Sequence, residues 1–185
     1  VIKFLIFIVF NFYVKLLKKI KKMLEFQKQN CDLTLEEGLK IYYDAFEDQE
    51  SILKGDTLPE FIFGHDCTHV IFGLGLSLKE EAILDTYTIY GCKNSIKIIF
   101  KAAGQIFKSK ELLSLYKKLI SEHGIIGLLR LVNSSKKSKK IARIKTKKMK
   151  KKWSYFVPKS YLSYQINDLR DEYGISVLTE KELGL

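Results

Sequence analysis

Several residue types are scarce in this 185-residue chain: three cysteines, two prolines, three histidines and one tryptophan. Cys31, Cys67 and Cys92 lie far apart, and no C-x-x-C pair occurs. A disulfide framework and a thiolate zinc site are therefore both disfavoured, and a reducing compartment is the simplest reading. With only Pro59 and Pro158 to interrupt it, the chain has room for long helices. A long apolar run is missing too. The opening "VIKFLIFIVFNFYV" is apolar for about fourteen residues and is broken by Lys3 and Asn11, whereas a spanning helix needs about twenty. No small-residue cleavage site follows it, so a secretory signal fits poorly. The chain opens on Val1, compatible with an unusual start codon, truncation or processing.

What is present is globular in character: 46% hydrophobic and 29% charged, at a length that suits one domain with its own core. Helix-start signals recur. Thr34 precedes Glu37, Thr57 precedes Glu60, Ser77 precedes Glu80 and Thr179 precedes Glu182, each the spacing at which hydroxyl and carboxylate satisfy orphan backbone donors. Three-and-four apolar spacing between them predicts helices over about 35–53, 58–73, 78–107, 110–122, 125–149 and 160–172. No strand set remains, so the expected class is all-α. Gly124 reads as a helix stop with His123 as its cap, and "NSSKKSKK" as a soft, solvated break.

Charge is concentrated. The net charge is +11, and "KKSKKIARIKTKKMKKK" at 136–152 holds eleven Lys/Arg and no acid, leaving the remainder close to neutral. Such a run points to a polyanion, either a membrane surface or nucleic acid. Nucleic acid is disfavoured: Trp153 and Tyr155 follow the lysines without interleaving, and Arg143 is the one arginine there. Leu16, Leu17, Ile20, Met23 and Leu24 recur at helical spacing opposite Lys15, Lys18, Lys19, Lys21 and Lys22. Residues 1–26 thus read as an amphipathic membrane-interface segment, and 27–185 as a helical domain containing the Lys-rich stretch.

"GHDCTHVIFG" at 64–73 gathers two of the three histidines with an aspartate. On a helix His65 and His69 lie about 40° apart on one face, one turn above the other, where two imidazoles can share an ion. Asp66 lies about 60° around from His69, close enough to be a ligand or to orient a histidine. Gly73 and Gly75 then stop the helix, Ser77 caps the next, and Glu81 falls in its first turn. Gly75 is six residues from both His69 and Glu81, so an antiparallel helix hairpin would set those two side chains opposite each other. His65, Asp66, His69 and Glu81 are the candidate metal residues, a mixture suited to zinc first and iron second. The same spacing also suits locally bonded histidines and a carboxylate that serves its helix start. The H-E-x-x-H pattern of zinc proteases and the His-Asp pattern of metal-dependent phosphohydrolases both fit worse, the first because Asp66 replaces Glu, the second because no histidine lies upstream.

The pattern H-D-x-x-H, eleven residues, E resembles the metal motif of the coenzyme Q (ubiquinone) biosynthesis protein four family, matched at His65, Asp66, His69 and Glu81. "HVIFGL" and the closing "INDLRDEYGI" are similar as well. Cys67 and Thr68 depart from the bulky residues of that motif, and the first sixty residues and the Lys-rich run do not align. The resemblance implies an all-helical protein bound peripherally to a membrane, on the cytoplasmic face or the mitochondrial matrix face. It implies action on polyprenylated benzoquinone precursors: metal-dependent removal of the ring carboxylate of a prenylated 4-hydroxybenzoate, with hydroxylation of the same carbon. The alternative it carries is a non-catalytic scaffold that binds metal and prenyl lipid and organises other ubiquinone-biosynthesis enzymes. Apolar stretches such as "IIFKAAGQIF" and "GIIGLLRLV" could line a groove for the prenyl tail.

Overall fold

The computed structural model describes residues 23–45, 60–94 and 133–184, with single positions at 97, 121 and 124. Expectations for the N-terminal segment, for Thr57 as a cap, for His123, for the helix at 110–122 and for the apolar stretches between 98 and 132 lie outside those residues.

The described residues are all-α. Helix α1 spans Leu35–Asp44, α2 Glu60–Phe72, α3 Leu78–Gly91, α4 Lys136–Lys147, α5 Ile166–Tyr173 and α6 Glu180–Leu183. Among the described residues, extended pairing is confined to two isolated bridges, Thr34 with Gln165 and Cys92 with Trp153. Among the described residues no helix is long and apolar enough to cross a membrane. Thr34, Ser77 and Thr179 each form the reciprocal capping box that their spacing predicts.

Three expectations need correction. The helix predicted over 78–107 ends at Gly91, because Cys92 turns extended to bridge Trp153, whose N–H donates to Gly91 O at 2.8 Å. The helix predicted over 160–172 is two pieces, a 3-10 turn at Lys159–Ser163 and then α5. Between them the backbone extends to bond the start of α1: Leu35 N–H donates to Tyr164 O at 2.9 Å and Ile166 N–H to Leu33 O at 2.8 Å. Those long-range bonds outweigh local helix propensity, which a period count cannot see. The stretch "NSSKKSKK" does break, with a turn at Ser135 before the helix that begins at Lys136, but it is not wholly solvated. Ser135 and Ser138 are buried, and Ser138 Oγ donates to Glu182 O at 2.6 Å, docking α6 on the helix that begins at Lys136.

Helix α4 packs extensively on α3. Its inner stripe of Ser138, Ala142 and Thr146 is small and buried, four residues apart, so the backbones approach closely. At Gly91 a Cβ would meet Thr146 Cγ2 at 3.1 Å and Phe72 Cζ at 3.3 Å. Phe72 stacks on Tyr87 with centroids 4.4 Å apart, and Trp153 packs edge-on to Tyr173 at 5.0 Å. These rings, the leucines of α1 and α3, and Val70 and Ile71 of α2 form one core around α2. Burial of a ring of this size stabilises by about 2–3 kcal/mol.

Arg170 of α5 ties that core to the end of α2. The guanidinium is buried and donates to five backbone carbonyls: Ile71 at 2.9 Å, Val70 at 3.1 Å, Lys28 at 2.5 Å, Gln29 at 3.1 Å and Phe26 at 2.5 Å. Val70 and Ile71 belong to the last turn of α2, whose carbonyls have no partner within the helix. Burial draws the guanidinium down to about 10, which leaves it charged at neutral pH, where a cation at a helix C-terminus is favourable.

Candidate metal centre

Two glycines set the frame of α2. At Gly64 a Cβ would fall 2.2 Å from Tyr155 O, so only glycine lets the segment after α4 press against the helix one residue before His65. At the other end Gly73 adopts φ +65°. Its N–H donates to Val70 O at 3.2 Å, and Leu74 N–H donates to His69 O at 3.0 Å, a helix ending that satisfies two orphan carbonyls. Leu74 O then accepts from His69 Nδ1 at 3.2 Å. A carbonyl can only accept, so the proton sits on Nδ1 and the lone pair on Nε2.

That lone pair faces Glu81. His69 Nε2 lies 3.2 Å from Glu81 Oε1, and both side chains are buried. The neighbouring acid shows how unusual this is. Glu80 accepts from Gln27 Nε2 at 2.8 Å, Gly75 N–H at 2.8 Å and Ser77 Oγ at 2.6 Å. Glu81, one residue on, has no hydrogen-bond donor to either oxygen among the described residues. An acceptor nitrogen and a carboxylate oxygen held this close in a dry site call for a shared cation, a proton or a metal.

His65 supplies a third donor. One donor atom each from His65, His69 and Glu81 lies within 4.8 Å of the others, and all three residues are buried. Tetrahedral zinc, at about 2.0–2.1 Å from each nitrogen or oxygen, wants donors about 3.4 Å apart. The His69–Glu81 pair already has that spacing. Two imidazoles and a carboxylate around one point can hold a metal ion with a fourth position left over.

Asp66 stands beside this triad and is not part of it. Its Oδ1 lies 3.2 Å from His65 Nδ1 and accepts from Tyr42 OH at 3.3 Å, while Oδ2 accepts from Tyr43 OH at 3.1 Å. A carboxylate on Nδ1 turns Nε2 toward the ion and raises its basicity. Of the four residues singled out by spacing, the structure therefore gathers three as donors and makes the fourth an orienting partner.

Burial governs the electrostatics. It draws His65 down to about 3, pushes Asp66 up to about 8, and moves His69 down and Glu81 up. Every group leans toward its neutral form, because charge without a partner is costly in so dry a place. A divalent ion removes that penalty for the carboxylate and keeps the imidazoles in the neutral form that ligation needs.

Sequence reasoning missed Asp85, Tyr42 and Tyr43. Asp85 lies one turn beyond Glu81 on α3, buried, with Oδ1 lacking a hydrogen-bond partner among the described residues. Burial pushes its carboxyl up while Lys139 of α4 pulls it down. The spacing Glu81 to Asp85 was a readable signal. The tyrosines carried none, since only the packing of α1 on α2 brings them to Asp66.

Comparison with family models, curated proteins and solved structures gives no match for this chain.

Proposed function

We propose that the chain acts in ubiquinone biosynthesis, removing the ring carboxylate of a polyprenylated 4-hydroxybenzoate intermediate with the aid of one metal ion, zinc first and iron second. The observation that carries this reading is the buried convergence of His65, His69 and Glu81 within 4.8 Å, in the motif spacing that resembles the coenzyme Q biosynthesis protein four family. When bound, the ion supplies Lewis acidity to a substrate carboxylate or phenolate.

The protein's own residues do the rest. Leu74 O and Asp66 fix the two imidazole orientations, and Tyr42 and Tyr43 hold Asp66 in place. The apolar packing around α2 excludes bulk water, which strengthens every electrostatic contact made inside. Asp85, a turn from Glu81 and pushed up by burial to about 8, is a second carboxyl on the same helix able to hold a proton at neutral pH. A prenylated substrate lives in a bilayer, so the protein works at an anionic membrane surface as a peripheral protein, alongside other enzymes of the pathway.

A second reading has its own observation. His65, His69 and Glu81 are at most 6% exposed, and closed sites are the habit of structural metals. On that reading the ion locks α2 to α3, and the protein is a scaffold that binds prenyl lipid.

Elemental analysis of purified protein beside His65→Ala/His69→Ala tests the site. Close to one equivalent of zinc or iron is expected in the wild type and none in the double variant. Release of carbon dioxide from a carboxyl-labelled prenylated hydroxybenzoate then separates enzyme from scaffold. Metal without turnover leaves the scaffold; no metal under chelator-free handling sinks both.

A further inference from the structure

The structure divides the Lys-rich run into lysines that are used internally and lysines that are not. Lys145 donates to Val177 O at 2.9 Å and pairs with Glu182 at 3.0 Å. Lys150 donates to Asp171 O at 2.8 Å. Lys151 pairs with Glu172 and lies 4.4 Å over the Tyr173 ring. These hold α4 and its sequel to the domain. Lys136, Lys137, Lys140, Lys147 and Lys148 do none of this: all are exposed, and none has an ion pair among the described residues.

The second group shares one face. At about 100° per residue, Lys136, Lys137, Lys140, Arg143, Lys147 and Lys148 fall within roughly 140° of arc, opposite the Ser138–Ala142–Thr146 stripe that meets α3. Ile144 lies inside that arc and is 47% exposed. Beside it Arg143 stacks over Tyr90, itself 39% exposed, at 4.6 Å. The cations are held against their own repulsion. Lys136 and Lys140, and Arg143 and Lys147, are like-charged at four-residue spacing, and the first turn of α4 holds lysines and no acid at its positive end. An anionic surface lying along the helix relieves that repulsion.

We infer that this outer face of α4 is a docking surface for an anionic lipid bilayer, with the lysines over the phosphates and Ile144 inserted between them. Charge complementarity argues for a polyanion, and the exposed isoleucine for a bilayer. Trp153 and Tyr155, which could stack on bases, are buried, and the Tyr90 ring at the edge of the face is already covered by Arg143. Flat point charges suit a headgroup plane, each returning a severalfold gain in binding. The inference deepens the membrane part of the proposed function, and its test does not use the metal.

The test is co-sedimentation of the full chain with phosphatidylcholine vesicles with and without phosphatidylglycerol, at fixed salt. Lys140→Gln/Lys147→Gln lowers binding to anionic vesicles by roughly 30-fold and leaves Lys151→Gln, whose lysine is already paired, near wild type. Ile144→Ser lowers it severalfold. His65→Ala/His69→Ala binds vesicles like the wild type, so failure of the metal reading would leave this result standing. Wild-type protein that ignores anionic vesicles, or a Lys140/Lys147 variant that keeps its affinity while thermal unfolding shows it folded, overturns the inference. So does duplex DNA that displaces the vesicles at matched salt with affinity indifferent to Ile144→Ser, which would make the face a nucleic-acid surface.

Discussion

Helices α3 and α4 pack against each other and handle charge in opposite ways. α3 is buried almost all round, and its acids Glu80, Glu81 and Asp85 sit in the interior. α4 buries a stripe of three small residues and turns its cations outward. Charge in water costs little, so α4 tolerates many like charges with no partner. Charge in the interior must be hydrogen-bonded, neutralised or matched by an ion. Glu80 takes the first route and Glu81 is left for the others. The lesson is that the number of charged residues in a helix says little. Where each one can find a counter-charge says much more.

The largest way to break the comparison is to remove Arg170, a buried cation that the interior does satisfy. Arg170→Ala takes the guanidinium from five carbonyls, of which Val70 O keeps the Gly73 N–H, and deletes the clamp between α5, the 26–29 turn and the end of α2. It is expected to cost about 3–5 kcal/mol or more, read as a drop in denaturant midpoint, with metal lost alongside. A variant that keeps both stability and metal would show that the end of α2 needs no clamp. Next, Glu81→Ala should abolish metal retention as fully as His69→Ala. Asp66→Asn, which keeps the volume and weakens the orienting bond, should lower affinity by about 10- to 100-fold. Competition with a chromogenic chelator ranks the three. If Asp66→Asn matches Glu81→Ala, Asp66 is a ligand and the division drawn between them is wrong. The smallest effect sharpens the other side. Lys136→Glu, at the positive end of α4 and one turn before Lys140 on the same face, should raise stability by about 0.3–1 kcal/mol at low salt, and less in high salt. No gain would mean that α4 does not feel its own repulsion.

Much of this contrast was legible in the chain. The three capping boxes, the helical class and the His65–His69–Glu81 convergence all follow from local periods and distances from Gly75. These are short-range rules, and α2, α3 and their connection obey them. The misses share one cause, contacts between residues distant in sequence. The break at Tyr164–Gln165 comes from pairing with Leu33 and Leu35. Ser135 and Ser138 read as solvated because serine in a lysine run ordinarily is, and for Ser138 it is the docking of α6 that makes the difference. Asp66 looked equally able to ligate or to orient until Tyr42 and Tyr43 arrived from α1. Arg170 carried no local sign that five carbonyls from two segments would surround it.

The peptide of Leu74 does two things at once, and they cannot be separated. Its N–H ends α2 on His69 O, and its carbonyl holds His69 Nδ1. The imidazole therefore loses its rotational freedom when the helix end forms, before any ion arrives. A histidine that must be ordered by its metal gives up that entropy on binding and releases it again on dissociation. Here the term belongs to folding, so it should be missing from the calorimetric entropy of metal uptake. The Leu74 amide, in turn, should exchange with solvent at a rate set by the turn itself, changing little whether the ion is present or stripped away.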